Sequence, residues 1–150
     1  MKKILSFAIT CIILISSVNV VVFGCDTSSN ITDEENIHYV ITINSENISR
    51  SSGTRTGTKT ITAYNDDDEK IWDATIRATF SYTGSSATCT SASISYNTYG
   101  SLWEITSATA NRSSNKAVGN IVAKKYVLGI CVKTVEESFT LTCSANGTLS

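Results

Sequence analysis

The sequence predicts an all-β fold, an antiparallel β-sandwich or small barrel of about six to seven strands behind an N-terminal signal segment. Three observations carry that prediction. From Gly57 onward Ser, Thr, Val, Ile and aromatic residues dominate, and no stretch sustains a helical period. Apolar and polar residues alternate with a period of two in several runs. The 150 residues contain no proline, so the punctuation between runs falls to Gly, Asn, Asp and Ser, which recur at the short spacing of hairpin-linked strands rather than of βαβ units.

TKTITAY reads as a strand and NDDDEK as a charged turn. IWDATIRATFSYT is a long strand in which Trp72, Ala74, Ile76, Ala78, Phe80 and Tyr82 share one face and Asp73, Thr75, Arg77, Thr79 and Ser81 the other. That alternation predicts one buried and one wet face. After the turn GSS, the apolar phase of ATCTSASISY shifts between Cys89 and the set Ala92, Ile94, Tyr96, as a bulge produces. NTYGS leads into LWEITSATANR, SSNK turns the chain into AVGNIVAKKYVL, and GICVKTVEESFTLTC ends the series before SANGTLS.

Upstream, Lys2 and Lys3 precede an apolar run from Ile4 to Phe23, the pattern of an export signal over residues 1–24. A run of this length also suits an uncleaved membrane anchor. Val22-Phe23-Gly24-Cys25 resembles the lipobox of bacterial lipoproteins, with Phe23 in a place that is usually small. The resemblance implies cleavage before Cys25 and lipid attachment to it. Residues 25–56 read as a polar tether with one short strand, IHYVITI, in which Ile37, Tyr39, Ile41 and Ile43 share a face. Residues 57–150 then form the β domain. Arg50, in the second polar stretch, is a candidate processing site.

Composition narrows function. The chain carries 12 Lys+Arg against 13 Asp+Glu, and the signal takes Lys2 and Lys3 with it. An acidic balance without a basic patch argues against nucleic acid as a partner. A single histidine, His38, argues against Ser-His-Asp and Cys-His catalysis, and no CxxC or HxxxH spacing suggests zinc. Asp66, Asp67, Asp68 and Glu69 lack the spacing of a dedicated calcium loop. Asp73 and Glu104, the one imaginable glycosidase pair, read as solvent-facing strand carboxylates. Nothing calls for a cofactor. The expectation is a non-enzymatic protein.

GTKTITAYN, ATFSYTGSSATCTSAS, LWEITSATANRSSNKAVGNI and KTVEESFTLTCSANGTLS, spanning about residues 53–150, resemble a group of small secreted β-rich proteins of Gram-positive gut bacteria whose role is not assigned. The most specific parts are SYTGSSATCTSAS and LTCSANG. The resemblance implies an exported all-β domain in which Cys89 and Cys143 recur as a pair, with Cys131 outside it. A Cys89–Cys143 disulfide suits an exported chain, and closing a loop of some 55 residues stabilises by roughly 4 kcal/mol in the chain-entropy picture. The alternative is two reduced, small core residues. Cys131–Cys143 requires a turn at Glu136-Glu137-Ser138, because on one continuous strand the two lie roughly 40 Å apart. Cys131, between Ile130 and Val132, is then expected to be a buried free thiol.

The loop from Tyr96 to Trp103 combines Tyr96, Tyr99 and Trp103 with amide and hydroxyl side chains, the mixture that receives sugars on β-sandwiches; the bland reading puts Trp103 and Tyr96 in the core. Two functions follow. One is a surface-displayed or secreted binding or interaction domain for a glycan, a cell-wall polymer or a protein, extracellular or held on the outer face of a membrane only through a lipid anchor or uncleaved signal. The other is a secreted effector, bacteriocin-like or protective, released by processing near Arg50.

Overall fold

The computed structural model describes residues 35–45 and 52–150. The signal segment, Cys25 and Arg50 lie outside the described residues. Seven strands follow one another: β1 (His38–Ser45), β2 (Gly53–Tyr64), β3 (Lys70–Tyr82), β4 (Ala87–Thr98), β5 (Trp103–Ser113), β6 (Lys116–Val127) and β7 (Ile130–Thr142). All pair antiparallel, in one sheet of order β1-β2-β3-β4 and a second of order β5-β6-β7. Each strand pairs with its neighbour in sequence, so the chain is a meander that changes sheets once, at the β4–β5 loop. The sheets pack face to face, β2 across β7 and β3 across β6.

The core is the alternation of β3 made physical. Trp72, Ala74, Ile76, Ala78 and Phe80 are all fully buried, and from the facing sheet Ala117, Ile121, Ala123, Phe139 and Leu141 meet them. Small residues let the large ones lie flat: Gly119 sits opposite Phe139, whose ring passes about 3 Å from where a Cβ on that glycine would stand. The outer face of the four-stranded sheet is hydroxyl-rich, with cross-strand pairs Thr56–Thr79 at 2.9 Å and Thr60–Thr75 at 2.8 Å. The bulge read from the Cys89 phase shift is present, since Phe80 pairs with Cys89 and Thr79 with Ser91, leaving Thr90 unpaired.

Two sequence readings change. The strand expected from Thr58 begins at Gly53, and all eight residues of β1 pair with it. Tyr39 packs on Trp72 with ring centroids 5.9 Å apart, so IHYVITI is part of the sheet. Asp73, expected on the wet face, is only 9% exposed. Its carboxylate accepts from Asn97 Nδ2 at 2.9 Å and Tyr99 Oη at 2.7 Å and lies 3.5 Å from Lys70 Nζ. Buried carboxylates persist when donors replace the lost water, and here three do.

Turn chemistry fixes the ends. Asn65 Oδ1 accepts the Asp67 and Glu69 amides, at 3.1 and 2.8 Å, closing the acidic β2–β3 turn. The β5–β6 turn is Ser114-Asn115, with Ser114 at φ 52°. The β6–β7 turn is Leu128-Gly129, at φ 51° and 80°, the left-handed pair that two-residue hairpins require.

Candidate functional site

The chemistry-bearing residues fall at two opposite ends of the sandwich. One end gathers the 83–86 loop, the Ser114-Asn115 turn and the C-terminal segment. Here the two motifs that most specifically carried the resemblance meet. The Gly84 amide donates to Ala145 O at 2.8 Å, the Cys89 amide to Ser114 O at 2.7 Å and the Cys143 amide to Asn115 O at 2.9 Å. Asn115 Nδ2 returns a bond to Cys143 O at 2.7 Å. The chain then doubles back, Thr142 and Ser150 exchanging backbone bonds at 2.8 and 3.0 Å. Arg55 Nη1 donates to Gly147 O at 2.6 Å.

Cys89 and Cys143 are buried here, and both are free thiols. The expected bridge between them is therefore corrected. Each thiol is turned to a nearby carbonyl, Cys89 Sγ donating to Ser91 O at 3.3 Å and Cys143 Sγ to Ser144 O at 3.4 Å. Burial pushes both thiols above the ordinary range, against opposing pulls from Arg112 on Cys89 and Arg55 on Cys143, while the neighbouring Cys89 raises Cys143 further. Cys131 is not among the free thiols, and its setting is not apolar: Ile130 beside it is 63% exposed, and Lys133 O and Thr134 Oγ1 lie 3.7 Å from its sulfur. Because β7 runs unbroken from Ile130 to Thr142, Cys131 and Cys143 stand far apart on one strand.

The other end gathers Glu35, the acidic Asn65–Glu69 turn, the β4–β5 loop and the β6–β7 hairpin. A surface cleft of about 500 Å³ opens there, lined by Glu35, Asn65, Glu69, Lys70, Tyr99, Ser101, Trp103 and Lys125 among others. The loop is locked from below, the Tyr99 and Gly100 amides both donating to Ile71 O (2.8 and 3.1 Å) and the Trp103 amide to Gly100 O at 3.0 Å. Lys70 Nζ stands 4.9 Å from the Tyr99 ring centre. Donation to Asp73 raises the Tyr99 phenol, with desolvation and the carboxylate's charge adding to it. Lys125 pairs with Glu35 at 2.8 Å, and Lys133 Nζ donates to Glu35 O.

The three aromatic candidates are thus divided. Tyr99 is half exposed at the cleft. Trp103 touches the cleft but is 6% exposed, a core residue. Tyr96, half exposed on β4 opposite Ala74, does not line it. Glu35, Asn65, Lys70 and Lys125 were not singled out in the sequence, and Glu69 only within the acidic run weighed for calcium, because a cleft between loops far apart in the chain leaves no local pattern. A larger depression, about 590 Å³, lies between Asn44, Arg55, Arg77 and Tyr82. Its Arg55 is committed to the C-terminal turn, so it belongs to the structural end.

Other chemistry is dispersed. His38 stacks on Tyr64 at 5.3 Å and faces Asp68 at 3.2 Å. Asp73 and Glu104 sit on different sheets. Among the described residues no three His, Cys, Asp or Glu side chains converge to hold a metal. No protein-family model, curated protein or solved structure matches the chain.

Proposed function

We propose that this protein is an exported, non-enzymatic binding module that takes a hydroxyl-rich ligand, a glycan or cell-wall polymer, in the cleft beside Tyr99. The observation that carries the reading is the cleft's composition: an exposed phenol ring on a rigid loop, flanked by Asn65, Ser101, two carboxylates and two ammonium groups. Sugar hydroxyls both donate and accept, so a site with both kinds of partner and an aromatic surface matches them. The export signal read from the sequence supports a module outside the cell, free or held on the outer face of the membrane. His38, the one imidazole, is engaged by Tyr64 and Asp68.

Calorimetric titration with soluble cell-wall glycan fragments tests the reading. Tyr99→Ala is expected to weaken binding about tenfold or more, the loss of one good aromatic contact. Lys70→Ala is expected to weaken it less. Equal affinity of Tyr99→Ala and the parent chain places the ligand elsewhere.

A further inference from the structure

We propose that the end of the sandwich carrying Leu102, Val127, Leu128 and Ile130 docks on a lipid bilayer, with the β6–β7 hairpin tip entering the headgroup–acyl boundary. These four aliphatic residues are 47%, 39%, 97% and 63% exposed. They form one knob, because the Tyr126 amide donates to Leu102 O at 2.7 Å and so ties the β4–β5 loop to the hairpin.

Neither folding nor packing accounts for Leu128. At φ 51° a leucine holds a left-handed conformation that favours Gly, Asn or Asp, and with 97% of its surface exposed it buries nothing within the domain. Strain and unburied apolar surface at one residue mark a position kept for contact with something outside the fold.

The shape selects the partner. A convex apex presenting aliphatic side chains on several sides needs a deep pocket in a protein, whereas fluid acyl chains close around any apolar knob of this size. Tyr126 and Lys124 stand just behind the tip on β6, where an aromatic ring and a lysine stem suit the interface. Asp66, Asp67, Asp68 and Glu69 lie at the same end of the domain, so attraction to anionic lipid is not the driving term; the apolar tip is.

The path of the chain points the same way. Glu35 is held at this end by Lys125 and Lys133, and ten Cα steps separate it from Cys25, a reach of roughly 35 Å at full extension. The inference rests on the exported, membrane-associated reading for its setting. A lipid on Cys25, or an uncleaved signal, confines this end to the bilayer surface.

The test uses the protein as isolated from cells that express and export it, carrying Leu128→Trp, with phosphatidylcholine vesicles. Trp72 and Trp103 are 0% and 6% exposed, so the introduced indole reports the tip. The expected result is a blue shift of its emission on adding vesicles, quenching by lipids brominated near the headgroup end of the acyl chain, and persistence of both in high salt. Ile130→Asp in the same background is expected to abolish the shift without changing the thermal midpoint. Co-flotation with vesicles reports the tether separately. An indole that stays water-like and unquenched overturns the docking proposal whether or not the protein floats, while quenching in a protein whose mass shows no lipid and no retained signal supports docking and removes the tether.

Discussion

The two ends of the sandwich share one core and differ in almost everything else. At the C-terminal end, backbone and side-chain groups close on one another: Cys89, Asn115, Cys143, Gly147 and Arg55 are all spoken for by short hydrogen bonds within the domain. At the end that receives Glu35, the loops hold an open cleft and an unburied aliphatic tip. Folded proteins minimise unsatisfied and unburied groups where nothing is bound, so the contrast separates an end closed on itself from an open end, the one to which we assign binding as a proposal.

The comparison is broken most forcefully through the shared core. Trp72→Ala is expected to destabilise by about 3–5 kcal/mol, the range for a fully buried large aromatic, read as a drop in the urea midpoint. Trp72→Phe is expected to cost much less, because the buried indole Nε1 has no hydrogen-bond partner among the described residues and its removal relieves an unsatisfied donor. Equal losses for the two would mean that the indole nitrogen, not the ring volume, holds the core.

A smaller effect sharpens the closed end. Cys89 and Cys143 are free and have thiols raised by burial. A group whose folded pKa lies above its unfolded one contributes stability that is complete below the unfolded value and is lost as pH rises through the folded one. Stability is therefore expected to be level below about pH 8 and to fall on the alkaline side of the ordinary thiol range near 8.5. In Cys89→Ala/Cys143→Ala that alkaline decline should shrink. Because Cys131 is not a free thiol, reductant at neutral pH is expected to shift the midpoints of the parent and of Cys89→Ala/Cys143→Ala equally; a midpoint that reductant lowers in the parent and not in the double variant would restore a bridge between Cys89 and Cys143.

Much of the fold was legible in the sequence, and the reason is periodicity. The strict alternation from Trp72 to Tyr82 named the buried face of β3 residue by residue, and the broken phase after Cys89 located a bulge, because side-chain direction in a strand follows from parity alone. Gly53 to Gly57 was missed as strand because Thr, Arg and Gly on a sheet's polar margin look like a linker. Asp73 was misread because parity gives the face and not the neighbours: Tyr99 folds over that face and covers the carboxylate. The thiol pair shows the same limit. Sequence brought Cys89 and Cys143 to one place, but whether two neighbouring thiols bond depends on side-chain directions that no spacing encodes. The cleft was half legible, through Tyr99, since its charged residues, Glu35, Glu69, Lys70 and Lys125, come from three separate segments. The Val127-to-Ile130 tip did carry a signal, an apolar run crossing a hairpin where Asn-Gly would be usual.

The division of labour between the two ends is tested most directly at two left-handed positions, one at each end, by comparing the urea midpoints of Gly147→Ala and Leu128→Gly with the parent. Gly147 has φ 84°, and a Cβ there would stand 2.7 Å from the Tyr82 ring; its substitution is expected to destabilise by more than about 1 kcal/mol. Leu128 has φ 51° and touches almost nothing. Relief of its strain, about 1–2 kcal/mol, offsets the added chain entropy of glycine, about 0.5–1 kcal/mol, so the account predicts a midpoint unchanged or raised. A Leu128→Gly protein as destabilised as Gly147→Ala would contradict it, because the tip would then be part of what holds the domain together.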